Sequence, residues 1–117
     1  MADAGRRGVG AARAKRIALA ALAALPWLAG PAPAAAATRT IEIDAMAFAP
    51  PSVTVRRGDT VVWVNRDLVP HTATAGKVFD SGAIAPGRSW TTIAKTPGHH
   101  DYVCTLHPTM KASLRVE

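Results

Sequence analysis

From residue 38 to the end of the chain, apolar residues recur at every second position, and no segment carries the three-to-four spacing of a helix face. Ile41 and Ile43 alternate with Glu42 and Asp44; Val53 and Val55 alternate with Thr54 and Arg56. A period of two places successive side chains on opposite faces, as in a strand with one side against a core. The runs are short, and turn residues separate them: Arg57-Gly58-Asp59, Ala75-Gly76-Lys77, Pro86-Gly87 and Pro97-Gly98. Residues 60–64 read as a strand largely covered on both faces, and 71–74, 89–94, 99–104 and 112–116 as further strands. Six to eight short strands in one small domain predict an all-β fold, a β-sandwich. Phe48, Trp63, Phe79, Trp90 and Ile93 are its expected core.

The preceding residues are of another kind. The chain is formally +6, with 14 Lys and Arg against 8 Asp and Glu, and a basic chain invites a polyanion. Yet Arg6, Arg7, Arg13, Lys15 and Arg16 face only Asp3, so residues 1–37 carry +4 of that charge and the remainder only +2. Residues 17–28 are an Ala- and Leu-rich run, and 30–37 are small and Pro/Ala-rich, ending in Ala34-Ala35-Ala36-Ala37. Basic, apolar and small segments in that order make a secretory signal peptide, with cleavage expected near Ala37. Pro26, Pro31 and Pro33 make the uncharged stretch a poor spanning helix. Gly8-Val9-Gly10 after Arg6-Arg7 is a weak twin-arginine signal, which leaves the export route open. The expected organisation is a cleaved leader over 1–37 and a mature domain over 38–117, periplasmic or otherwise exported. Neither a nucleic-acid partner nor stable membrane insertion after cleavage is expected.

Length excludes a TIM barrel or a doubly wound fold. A single cysteine excludes a disulfide framework, a Cys-rich zinc site and an iron–sulfur cluster. A domain this small often needs a staple such as a metal. In Cys104-Thr105-Leu106-His107-Pro108-Thr109-Met110, three potential ligands stand three residues apart between two expected strands. Side chains at that spacing in a tight loop can converge on one point. A fourth ligand must come from elsewhere, and His71, stiffened by Pro70, is the candidate. Singly, each residue has an ordinary reading: Cys104 as a small hydrophobe, Met110 as core filler, His107 as a surface histidine. Together, in an exported chain where a free thiol is a liability, they point to a metal. Thiolate, imidazole and thioether suit both copper states, and thioether is a poor zinc ligand.

At these residues the chain resembles the cupredoxins, the type 1 blue copper proteins, and most closely the amicyanin/plastocyanin-like group. The short Cys-x-x-His-Pro-x-Met loop is similar to that of amicyanins. The segment from Ile41 to Pro50, with Phe48-Ala49-Pro50, resembles the family's first strand. Gly58-Asp59-Thr60-Val61-Val62-Trp63-Val64-Asn65, Pro70-His71-Thr72, Phe79-Asp80-Ser81-Gly82 and Tyr102-Val103-Cys104 resemble further family segments. The resemblance implies a Greek-key cupredoxin sandwich holding one type 1 copper and carrying single electrons outside the cytoplasm. It implies His71, Cys104 and His107 as equatorial ligands and Met110 as the weak axial one. It also implies an outer edge of His107 that reaches the surface, ringed by Pro70, Leu106 and Pro108. Such an apolar patch suits a brief encounter of a monomer with a redox partner, a dehydrogenase or a cytochrome.

Four positions depart from the pattern. Leu106 stands where amicyanins have proline, restoring an N–H expected to reach the thiolate. Thr72 stands where they have asparagine; its hydroxyl is expected to bond Thr105 and brace the ligands. Ala112 replaces a common glycine. His100 replaces an aromatic on the face of Tyr102 and Cys104, while His99 points the other way, which disfavours a joint second metal site. No carboxylate dyad or Ser–His–Asp arrangement is apparent, so an electron carrier is expected rather than an enzyme. The competing reading is a copper chaperone or copper-homeostasis protein, against which stands the scarcity of Met, only Met46 and Met110 after residue 37.

Overall fold

The computed structural model describes residues 35–117, together with Ala20, Ala23 and Gly30. The leader expected over 1–37 otherwise lies outside the described residues. Among the described residues, no helix is long and apolar enough to cross a membrane.

Among the described residues, nine strands follow in chain order: β1 (Thr38–Asp44), β2 (Ala47–Ala49), β3 (Ser52–Val55), β4 (Thr60–Asn65), β5 (Thr74–Ala75), β6 (Phe79–Asp80), β7 (Ser89–Ile93), β8 (Gly98–Cys104) and β9 (His107–Val116). The number exceeds six to eight because β2, β5 and β6 are only two or three residues long. One sheet runs β2-β1-β4-β7, the other β3-β9-β8-β5-β6. The β1–β4 and β3–β9 pairs are parallel; the other strand pairs are antiparallel. Alternation sets which side chains meet between the sheets. Ile41, Ile43, Phe48, Val61 and Trp63 come from the first sheet, and Val53, Val55, Tyr102, Cys104, Leu114 and Val116 from the second. Trp63 is fully buried at the centre, with ring centroids 5.3 Å from Phe79, 5.4 Å from Trp90 and 5.6 Å edge-to-face from Tyr102.

Three local expectations change. Ile93 is 51% exposed and is not core, because on edge strand β7 alternation turns Trp90 and Thr92 inward and Ile93 outward with Thr91. Residues 71–74 do not form one strand: His71 makes a single bridge to Ile84, and β5 starts only at Thr74. Strand β9 begins at His107, well before residue 112, because a tight turn brings the chain straight back against Cys104.

Two acidic side chains fasten the turns. Asp59 accepts the N–H of Ala37 at 2.9 Å and of Arg56 at 2.8 Å, tying the start of β1 to the β3–β4 turn. Those two backbone donors, Ala37 first, hold its carboxyl below the usual carboxylate range. A depressed folded pKa contributes stability above the unfolded value, which is lost as pH falls through the folded one. The advantage of the wild type over Asp59→Asn is therefore expected in full at neutral pH. It should shrink below about pH 4 and vanish in stronger acid, as read by urea unfolding across that range.

The second fastening is at the two-residue β1–β2 turn. Ala45 and Met46 both lie in the left-handed region, with φ of 50° and 60°. Such a turn matches the twist of a hairpin but is uncomfortable for side chains other than glycine, asparagine or aspartate. The carboxylate of Asp67 accepts both N–H groups, Ala45 at 2.7 Å and Met46 at 3.0 Å.

Candidate metal centre

The site lies where the loop after β4 meets the β8–β9 turn. Asn65 ends β4 fully buried and organises the loop. Its amide donates to the carbonyls of Val69 and Ile84, both at 2.9 Å, and its Oδ1 accepts the N–H of Asp67 at 2.9 Å. Two backbone bonds between His71 and Ile84 fix the next step. His71 is thereby held with no exposed surface.

The opposite wall is built by an irregularity in the β8–β9 ladder. Val103 pairs with Lys111, but Cys104 pairs with His107. Residues 108–110 therefore have no opposite number, and the extra chain bends there as a bulge does. This frees Met110 from strict alternation; it is buried, 4% exposed, in the same cluster as Cys104.

The structure sets His71 beside two of the other expected ligands, Cys104 and His107. Nδ1 of His71 lies 3.7 Å from Sγ of Cys104, and the rings of His71 and His107 are 5.1 Å apart. Met110 adds a buried thioether from β9. The thiol of Cys104 is free and fully buried, with the Thr72 N–H donating to it at 3.3 Å. That donor is Thr72 rather than Leu106: Leu106 sits at the tip of the turn, half-exposed, and makes no such bond.

Thr72 also joins the two walls. Its hydroxyl accepts the N–H of Thr105 at 2.8 Å, lies 3.0 Å from the Thr105 hydroxyl and accepts the Thr74 hydroxyl at 3.1 Å. Thr72→Val keeps the shape and deletes these bonds within a buried site. The expected cost is about 1–3 kcal/mol of stability, read by urea unfolding of the metal-free protein.

Pro70, Leu106 and Pro108 are all exposed. Leu68, 94% exposed, and Val69, 40% exposed, extend the apolar rim on the His71 side. Sequence reading missed both, although Leu68-Val69-Pro70 is a visible apolar run before the histidine. His99 and His100 take separate roles: His99 Nε2 lies 2.9 Å from Asp101 Oδ1, and His100 Nε2 donates to the Thr96 carbonyl at 2.8 Å. The other residue missed by sequence is Asp67, whose Oδ2 lies 2.8 Å from Nε2 of His71. Its carboxyl is held below the usual range, first by the Met46 N–H and then by His71 and the Ala45 N–H, against some desolvation.

The donor set fits copper. It offers a buried sulfur with no partner cysteine, two adjacent imidazoles and a thioether, with the Nδ1 edge of His71 turned toward the sulfur.

Comparison with known proteins gives the same direction. Residues 18–116 match the family model of the cupredoxin-like domain. The chain is 31% identical over 83 residues to amicyanin of Paracoccus versutus, covering 66% of this chain and 63% of that protein. It is also 31% identical over 90 residues to amicyanin-alpha of Methylorubrum extorquens, covering 72% of this chain and 76% of that one. A solved structure of an oxidised amicyanin variant superposes with a TM-score of 0.63 at 28% identity, covering 68% of this chain and 82% of the other.

Proposed function

This chain belongs to the cupredoxin-like family, and on that premise we propose that it is a small exported blue copper protein that carries single electrons between redox partners. The cofactor is one type 1 copper, which supplies a one-electron couple when bound. In this reading His71, Cys104, His107 and Met110 would hold it, the thiolate and the two imidazoles strongly and the thioether weakly. The observation that carries it is the meeting of His71 Nδ1 and Cys104 Sγ at 3.7 Å beside the ring of His107.

The remaining residues serve transfer rather than bond-making. The buried walls exclude water from the sulfur. The Thr72–Thr105 bridge and the Asn65 clamp hold the ligand loops in one arrangement, so little must move when charge changes. Half-buried His107 gives the electron a short way out, inside the apolar rim of Leu68, Val69, Pro70, Leu106 and Pro108. An apolar rim without fixed salt bridges favours quick release of a transient partner, a dehydrogenase or a cytochrome met by a monomer. In this reading the chain is a carrier rather than an enzyme, like the amicyanins it is similar to.

The test is to add Cu(II) to the purified chain. One equivalent should give intense blue absorption that bleaches and returns with a single electron. Tight Cu(I) uptake without that colour would replace the carrier by a copper-handling protein. No uptake would refute both.

A further inference from the structure

We propose that Asp67 is a positioning residue for the metal centre, fixing the tautomer and aim of His71 and coupling them to the β1–β2 turn. The inference rests on the copper reading above for its consequences, but its geometry stands apart from any metal.

Three contacts carry it. Oδ2 of Asp67 lies 2.8 Å from Nε2 of His71, a ring with no exposed surface. An ionised carboxylate can only accept, so Nε2 holds the hydrogen. A neutral imidazole with its hydrogen on Nε2 keeps a lone pair on Nδ1. That is the edge facing Cys104 Sγ at 3.7 Å, where a ligand is needed. The other two contacts are the N–H groups of Ala45 and Met46, at 2.7 and 3.0 Å. They come from a turn whose left-handed backbone aims both donors at one carboxylate. Asp67 thus has little freedom to rotate away from His71, and Asn65 holds its backbone N–H as well.

A carboxylate behind a metal-bound histidine orients the ring and raises its basicity. Basicity favours the higher charge state, so Asp67 should stabilise Cu(II) over Cu(I). Asparagine cannot substitute. It offers one oxygen for donors that now share two, and its amide would confront a backbone N–H or the ring N–H.

The experiment uses the full chain with copper as the probe. Asp67→Asn should weaken Cu(II) binding by about 10–100-fold. It should also shift the Cu(II)/Cu(I) balance toward Cu(I) by about tenfold, a rise in midpoint potential of about 59 mV. Asp44→Asn is the control: Asp44 also accepts the Ala45 N–H, at 2.9 Å, but does not contact His71. Its affinity and potential should stay within about twofold of the wild type. A smaller than twofold effect in Asp67→Asn overturns the proposal, and so does an equal shift in Asp44→Asn, which would make the effect a diffuse field. Nitrogen-15 NMR of the metal-free wild type reads the tautomer directly, without depending on any variant's folding. His71 hydrogen on Nε2 supports the proposal, and hydrogen on Nδ1 ends it. A wild type that never turns blue would sink the copper reading while leaving that NMR result to stand or fall by itself.

Discussion

Cys104→Ala is expected to remove all of the intense visible absorption proposed for the copper-loaded wild type, and with it the reversible one-electron wave. The colour of a trigonal His2Cys site depends on its copper–thiolate bond, and this chain has no second cysteine to replace the sulfur. The fold should survive the change. Cys104 is fully buried, so trimming it to Ala costs about 1 kcal/mol of transfer and packing energy. Its one backbone donor, the Thr72 N–H, is left to find another acceptor. Colour would therefore be lost from a folded protein, which circular dichroism and urea unfolding of the metal-free variant can verify. Two imidazoles remain, so weak, colourless Cu(II) uptake is compatible with this outcome. A Cys104→Ala protein that still turns blue would show that the sulfur is not a ligand.

Trp63→Ala is expected to cost the most stability, about 3–5 kcal/mol. A domain of this kind has about 5–15 kcal/mol in all, so the variant should sit close to unfolding in water. Trp63 fills the gap between the sheets and touches Phe79, Trp90 and Tyr102 at once, so no single neighbour can relax into the space. Trp63→Phe should cost much less. Nε1 of Trp63 makes no hydrogen bond of good geometry, only a weak approach to the Tyr102 hydroxyl, so deleting it forfeits little. Urea midpoints of the two variants decide the matter; equal losses would mean that ring volume is not what Trp63 contributes. Tyr102 shares this core, and burial pushes its hydroxyl up to about 12. A neutral Tyr102 is then part of the folded state. The stability linked to it is complete below the ordinary tyrosine value of about 10 and drains away between that pH and about 12.

What was legible in the sequence was whatever depends on near neighbours. Alternation identified Ile41, Ile43, Val53 and Val55 as inward-facing, because a strand's period is fixed by its own backbone. The spacing from Cys104 to Met110 and the Pro70-His71 step drew attention to the site for the same reason. Failures came where distant chain decides. Ile93 looks like any strand isoleucine until β7 is seen to be an edge. The hidden step in the β8–β9 ladder, which puts His107 on a strand while freeing residues 108–110, depends on a register that spacing alone does not contain. Asp67 was the hardest to see. Its partners on the β1–β2 turn are 21 and 22 positions away, and in sequence it is one more acid in a polar loop.

Both ends of the sandwich are sewn into the middle of its sheets: β1 lies between β2 and β4, and β9 between β3 and β8. Made from the N-terminus onward, the chain has neither a partner for β3 nor a neighbour for the far side of β8 until its last ten-residue strand emerges. Met110 belongs to that same strand. All the strands from β1 to β9 must therefore be synthesised before a stable sandwich can close. The four residues proposed to hold copper first come together only when β9, which carries His107 and Met110, is in place.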